Sequence, residues 1–398
     1  MASRSDPTPA PDAPAESVAS TLQSAGFVRL LPGADGDALA AAGLLARALR
    51  CVDVPFQVRV DPLGADAPAT DEGVLVAISA ERSGADVTFA PTVGSAATCR
   101  AYEVASKVAG EDPDPVLSLA GVVAAGAHPG SVAETMLDRA EASESVDRRP
   151  GVAIPTADVA DGLAHSTLFH APVSGDPDAV DEAIGSLVAA GEAGEAIGTE
   201  LASFVALAVA GDSEATARGA EAVERALRPY ATPGGPTATV GGFADVLNAA
   251  ARERPGTAVA LALGHGATDA ALDAWRTHAR IVHQALRASH TGRYDGVFAV
   301  RSDVGTDEDA RVAGRLGTLA RLARDFRSPE PFVVALGEGV AALSAVESGA
   351  SDAAETIASE FVAGDRAAWT GTPTEAVVRF DPVAADADVI AAIREAIR

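Results

Sequence analysis

Two aspartates two positions apart, Asp35 and Asp37, stand in Gly33-Ala34-Asp35-Gly36-Asp37-Ala38-Leu39. A short apolar run, Phe27–Leu31, precedes them and an Ala/Leu-rich segment, Gly43–Leu49, follows. Those flanks predict a strand and then a helix. Both carboxylates then lie at the carboxyl end of a strand, where open α/β sheets place their sites. Carboxylate oxygens converging there suit a hard divalent cation. The plainer reading is an acidic turn that caps the following helix.

Other residues qualify for the same crevice or for an anion. Glu81 closely follows a third apolar strand, Gly73–Ile78, and is a substitute ligand candidate. His128 ends the apolar helix Val116–Ala127 and is another; a histidine there also serves as an end cap. Arg311, Arg315, Arg321, Arg324 and Arg327 lie on or beside one predicted helix, Asp307–Phe326. They would track a nucleic-acid backbone, meet an acidic partner, or simply face solvent. His165 and His170, five apart, do not share a helix face and fit structural hydrogen bonding. His265 fits a turn, and His278 and His283, on a long helix, are expected to be solvated. Cys51 and Cys99 make neither a metal pattern nor a disulfide framework. Gly337-Glu338-Gly339 follows a strand, is expected to precede a helix, and lacks the fuller dinucleotide pattern.

The elements that must position these groups alternate. Phe56–Val60 adds a strand and Ser95–Ala109 a helix, and Asp112-Pro113-Asp114-Pro115 starts the next helix. This alternation implies a mostly parallel sheet covered on both faces. From 174 to 253 the pattern is helical, followed by an apolar run, Val259–Leu263, that reads as a strand. Thr268–Ser289 carries Leu272, Trp275, Ala279, Val282 and Leu286 at spacings of three and four, the pattern of a long amphipathic connector helix. The last part reads as a small α/β domain with strands at Tyr294–Val300, Phe332–Leu336 and Thr374–Phe380. The expected organisation is a disordered Pro-rich tail over 1–20, an α/β domain over 21–265, a connector helix over 266–291 and a C-terminal domain over 292–398.

With 398 residues, 48% of them hydrophobic, the chain can bury sizeable cores. The formal net charge is −26, from 56 acidic and 30 basic residues, and Lys107 is the one lysine. Acid excess with lysine depletion suits a high-salt cytoplasm, where salt screens self-repulsion. Acidity then says little about nucleic-acid partners. Two tryptophans and three tyrosines make base-stacking platforms scarce. The tail lacks the apolar core of a signal peptide, and no run suits a membrane span, so a cytoplasmic protein without membrane partners is expected.

The stretch Gly33–Ala41 resembles the first motif of the DHH phosphoesterase superfamily, His-x-Asp-x-Asp, which includes the RecJ single-strand exonucleases. Gly94-Ser95-Ala96-Ala97-Thr98 with Tyr102-Glu103-Val104 is similar to the family's Gly-Ser-rich helix start. Asp114–Gly121 is similar to the buried helix after it, and Gly292-Arg293-Tyr294-Asp295-Gly296 to the start of the DHH-associated domain. The matches occur in order over most of residues 25–382, and most resemble the RecJ-like branch of halophilic archaea.

The departures fall on the ligands. The motif's histidine is Gly33, and no Asp-His-His occurs. The strand ending at Ile78, where the family carries a further aspartate, continues as Ser79-Ala80-Glu81-Arg82-Ser83, and the buried helix, where the family usually has another, ends in Ala124-Ala125-Gly126-Ala127-His128. The C-terminal glycine-rich phosphate-contact motif has become Trp369-Thr370-Gly371-Thr372-Pro373, leaving Gly371 as its remnant. A two-metal site needs ligands from several strand ends at once. Two carboxylates cannot hold it.

The resemblance therefore implies a RecJ-like protein of DNA replication or repair that is a non-catalytic scaffold or binds single-stranded DNA or RNA. Some RecJ-like proteins have lost their metal ligands and partner the replicative helicase and the GINS complex. One alternative is a single-strand exonuclease with atypical ligands, using manganese or magnesium. The other is a small-molecule-binding regulator, which a closed apolar crevice without exposed arginines would favour.

Overall fold

The computed structural model describes residues 13–63, 73–79, 84–92, 94–189, 195–212, 214–305, 309–361 and 368–397. Glu81 and residues 1–12 lie outside them. The last residues of the expected tail are helical: they belong to α1 (Ala15–Ser24), which buries Val18 and Leu22 completely.

The first lobe runs β1 (Val28–Pro32), α2 (Gly36–Cys51), β2 (Phe56–Val58), β3 (Val74–Ile78), β4 (Val87–Phe89), α3 (Ala97–Ala109) and α4 (Pro115–Ala124). Its sheet is wholly parallel in the order β2-β1-β3-β4. Val28 and Leu30 are fully buried and Leu31 nearly so, as strands covered on both faces require. Helix α2 is buried almost all round, which its Ala/Leu composition permits without a polar face. Asp114 caps α4 through the Leu117 amide, 3.0 Å, with Pro115 in the first turn, where its missing N–H is no loss.

A mostly helical stretch follows: α5 (Pro129–Val132), α6 (Glu134–Ala142), β5 (Asp147–Arg148), α7 (Val159–His165), α8 (Pro177–Ala189), α9 (Glu195–Ala210), α10 (Ala217–Ala226), β6 (Tyr230–Ala231), α11 (Val240–Glu253), α12 (Pro255–Ala262) and α13 (Thr268–Ala288). The run Val259–Leu263 is no strand; it belongs to α12, opened by Pro255. Helix α13 buries more than one stripe. Ala271, Trp275, Ala279, Val282 and Leu286 make the first, and Ala274, His278 and Ala285 widen it because α13 packs on both α11 and α14. His278 and His283 are therefore buried, at 1% and 0% exposure, and not solvated.

The last part comprises β7 (His290–Tyr294), β8 (Val297–Arg301), α14 (Asp309–Phe326), β9 (Phe332–Leu336), β10 (Val340–Ala345), α15 (Ala350–Glu360), β11 (Ala368–Gly371), β12 (Glu375–Arg379) and α16 (Asp386–Ala396). Its sheet has the order β11-β12-β10-β9-β8-β7, with only the β8–β9 pair parallel. Two expected features resolve into hairpins. Tyr294–Val300 is the β7–β8 turn and the strand after it, with Gly296 at φ +80°. Gly337–Gly339 turns β9 into β10, with no helix after it. Strand alternation then splits the core. Val333, Ala335, Val340 and Ala342 pack toward α14, whereas Phe332, Val334, Ala341 and Leu343 pack toward α15 and α16. The architecture is thus a parallel-sheet α/β domain, a helical insertion, a connector helix and a smaller C-terminal α/β domain.

Candidate functional site

A cleft of about 570 Å³ runs between the first lobe, the helical insertion and the C-terminal domain. Its walls hold two sets of ionisable groups, one acidic and one basic.

Asp35 and Asp37 form the acidic corner at the β1–α2 junction. Asp35 caps α2: its Oδ1 accepts from the Ala38 amide at 2.8 Å, and its Oδ2 accepts from Ser79 Oγ at 2.9 Å. Asp37 reaches across to the start of α3. Its Oδ2 accepts from the Ala97 amide at 2.8 Å, and its Oδ1 from the Thr98 amide at 2.8 Å and Thr98 Oγ1 at 2.6 Å. Both carboxylates therefore satisfy helix N-termini, whose first amides lack intrahelical partners. A further donor at this corner, the Gly36 amide, is taken by Asn248 Oδ1 at 2.8 Å. Burial raises the Asp35 pKa against its bonds from Ala38 and Ser79. Burial, followed by the charge of Asp35, pushes Asp37 from 3.8 up to about 7.

A divalent pair does not fit these residues. Ser79 stands at the end of β3 with φ +83°, in the left-handed region, and its hydroxyl closes onto Asp35. A Cβ on Gly33 would lie 3.0 Å from Asp35 Oδ2 and 3.2 Å from Ser79 Cβ, so a side chain there requires the corner to shift. Among the described residues no group of three or more His, Cys, Asp or Glu side chains converges as a metal site. His128 lines the same cleft, but its Nδ1 accepts from the Gly130 amide at 3.1 Å as the cap of α5.

The basic wall is built by three helices. Arg225 and Arg218 come from α10, Arg252 from α11, and Arg321 and Arg324 from α14; Arg228 follows α10. Two of them are engaged inside the protein through several donors. Arg218 donates to the carbonyls of Arg324 at 2.9 Å, Glu330 at 3.1 Å and Ser328, docking the insertion onto the C-terminal domain. Arg324 forks onto Asp325 at 2.8 and 3.1 Å and also donates to Ser344 and Ala345. Arg321 is tied through one nitrogen, Nη2, to the Thr167 carbonyl at 2.8 Å. Arg225 feels the charges of Asp325, Arg324 and Arg321; burial lowers its pKa, Asp325 opposes this, and the two arginines add to it. Glu375 on β12, Glu221 and Asp245 balance part of this charge.

The sequence candidates thus separate. Arg321 and Arg324 reach the cleft, whereas Arg311 does not line it. Arg315 is a correction: at 4% exposure it forks onto Glu253 at 2.7 and 2.8 Å and is no contact residue. Arg327 pairs with Glu214 at 3.0 Å. Gly371 lines the cleft as backbone; a Cβ there would meet Ala376 Cβ at 2.5 Å, so the β11–β12 pairing itself demands glycine. Sequence reasoning missed Arg225, Arg228 and Arg252. His165 bonds Asp161 at 3.1 Å, and His170 stacks on His283 with 3.0 Å between their Nδ1 atoms.

The architecture is that of a known class. The structure of CDC45 from Entamoeba histolytica is similar with a TM-score of 0.56 at 8% identity, covering 96% of this chain and 98% of that one. The manganese complex of RecJ from Thermus thermophilus is matched at a TM-score of 0.48 and 14% identity, and the chain spans about half (54%) of its length. The fold is that of the CDC45 structure. In sequence, the chain is 46% identical over 396 residues to the uncharacterized protein rrnAC1427 of Haloarcula marismortui, with 98% of each covered. It belongs to the rrnAC1427 family. The model of that protein's C-terminal domain matches residues 289–395.

Proposed function

We propose that this protein is a non-catalytic member of the DHH-type fold that holds single-stranded nucleic acid by its phosphates in the interdomain cleft. The observation that carries the reading is the gathering of Arg225, Arg228, Arg252 and Arg321 along one cleft of a chain whose net charge is −26. Such a concentration of guanidinium groups suits backbone phosphates, which they bind by paired charge-assisted hydrogen bonds. The same arginines count against the small-molecule regulator, which a closed apolar crevice without exposed arginines would favour. At the acidic corner the carboxylates are engaged by helix amides and by Ser79, which supports binding without hydrolysis. A role beside a replicative helicase or GINS is proposed on the likeness to CDC45, which spans both chains almost end to end.

The test is anisotropy of a labelled single-stranded oligonucleotide over a range of potassium chloride. Binding that weakens with salt and collapses in the Arg225→Ala/Arg321→Ala variant supports the reading. Binding that ignores both changes rules it out.

A further inference from the structure

We propose that Arg252 is an oxyanion-binding side chain of the cleft, and that His278 and Thr318 are positioning residues that hold its guanidinium in place. The proposal rests on the phosphate-binding reading of the cleft and names a subsite within it.

Three helices meet behind the cleft, and one chain of hydrogen bonds crosses them. Arg315 Nε and Nη2 donate to Glu253 Oε1 and Oε2 at 2.7 and 2.8 Å. His278 Nδ1 lies 2.9 Å from Glu253 Oε1 and Nε2 lies 2.8 Å from Thr318 Oγ1. Arg252 Nη1 donates to that same Thr318 oxygen at 2.5 Å. The proton positions follow from chemistry. Burial alone would raise the Glu253 carboxyl, but the bonds from His278 and Arg315 outweigh it and hold it at about 2, so it is an anion that only accepts. His278 Nδ1 must therefore donate. Burial keeps that imidazole neutral against the pull of Glu253, so Nε2 accepts and the Thr318 hydroxyl donates to it. The Thr318 lone pairs are then turned toward Arg252. Every link is directional, and the chain ends on a guanidinium that lines the cleft.

A second feature seats the same side chain. Gly314 lies inside α14, where glycine costs about 1 kcal/mol relative to alanine. A Cβ there would meet Arg252 Cβ at 2.7 Å and Cγ at 2.8 Å. The Arg252 stem therefore lies directly on bare helix backbone. Among the described residues its guanidinium gives one hydrogen bond, to Thr318, and a guanidinium has five donors. The remaining donors serve the cleft. The charged groups facing it are Glu375, Arg321, Asp35 and Asp245. An oxyanion bound between Arg252 and Arg321 would take hydrogen bonds from both guanidiniums, in competition with the three carboxylates.

The experiment titrates two probes into the full chain: inorganic pyrophosphate by calorimetry and a labelled single-stranded oligonucleotide by anisotropy. Thr318→Val removes the hydroxyl but keeps the arginine charge, and Thr318→Ser restores the hydroxyl. The expected result is about tenfold weaker binding of both probes by Thr318→Val, recovery by Thr318→Ser, and no further loss when Thr318→Val is added to Arg252→Ala. Unchanged affinity in Thr318→Val, or full additivity with Arg252→Ala, overturns the positioning role. If Thr318→Val fails to fold, Arg252→Lys decides. It keeps the stem and charge but loses the fork, and equal affinity for pyrophosphate overturns the subsite. Pyrophosphate binding that depends on Thr318, without oligonucleotide binding, keeps the subsite and removes the nucleic-acid reading. A wild-type chain that binds neither probe overturns both.

Discussion

The acidic corner and the basic wall face the same cleft, yet their polar groups are used in opposite ways. At Asp35 and Asp37, all four carboxylate oxygens accept from the protein itself. Along the wall, Arg218 and Arg324 are engaged internally, but Arg225, Arg252 and Arg321 keep donors directed to the cleft. A charged group whose partners all lie within the fold contributes to stability. One held by a single point and left facing solvent is prepared for a ligand. On the proposed reading, the difference assigns structure to one wall and binding to the other.

Removing Asp37 is the largest test of that division. Asp37→Ala leaves the Ala97 and Thr98 amides and the Thr98 hydroxyl without their acceptor in a buried place, and should cost about 2–4 kcal/mol in chemical denaturation. A carboxylate kept for metal alone would cost nothing on removal in the presence of a chelator. The same residue sets a pH dependence. Its folded pKa, about 7, exceeds the unfolded value of 3.8, so the folded state holds this proton more tightly. That stabilisation is complete below pH 3.8 and lost as pH rises through about 7. Asp37→Asn cannot titrate. Wild-type stability should therefore fall relative to Asp37→Asn as pH rises through this window, and a constant difference would contradict the assignment.

On the other wall the expected effect is on affinity. Arg225→Ala/Arg321→Ala should weaken oligonucleotide binding roughly 10- to 100-fold and lower the slope of log affinity against log salt by about 0.7 per lost phosphate contact. The melting temperature should change little, because Arg225 makes no hydrogen bond among the described residues and Arg321 is tied at one nitrogen. The smallest effect belongs to Ser79→Ala, which loses one bond to Asp35 and should cost about 1 kcal/mol with no change in oligonucleotide affinity.

Much of the fold is legible in the sequence, and less of the site. The Asp114-Pro115 helix start and the buried run before Ile78 carry their own local signals. The C-terminal hairpins were signalled too, since Asp295-Gly296 and Gly337–Gly339 are turn chemistry, but an apolar run with a turn inside it reads as one strand. The acidic corner was legible because both aspartates sit in one turn. The arginine wall was half legible. Arg321 and Arg324 share a helix, whereas Arg225 and Arg252 come from two others and look like ordinary surface positions of each. His278 and His283 were misplaced for the same reason: a helix packed on two neighbours buries residues outside its main apolar stripe. One sign was present in the sequence. Gly314, between Arg311 and Arg315 in a long helix, marks a place where another chain segment comes close.

The central claim is that the cleft holds a strand without cutting it. The most direct measurement incubates the wild-type chain with end-labelled single-stranded DNA and manganese, following anisotropy and fragment length in the same samples, with and without chelator. The account predicts binding that is equal in both conditions, with the strand recovered at full length. Shortening of the strand in manganese alone, abolished by Asp35→Ala, would contradict it.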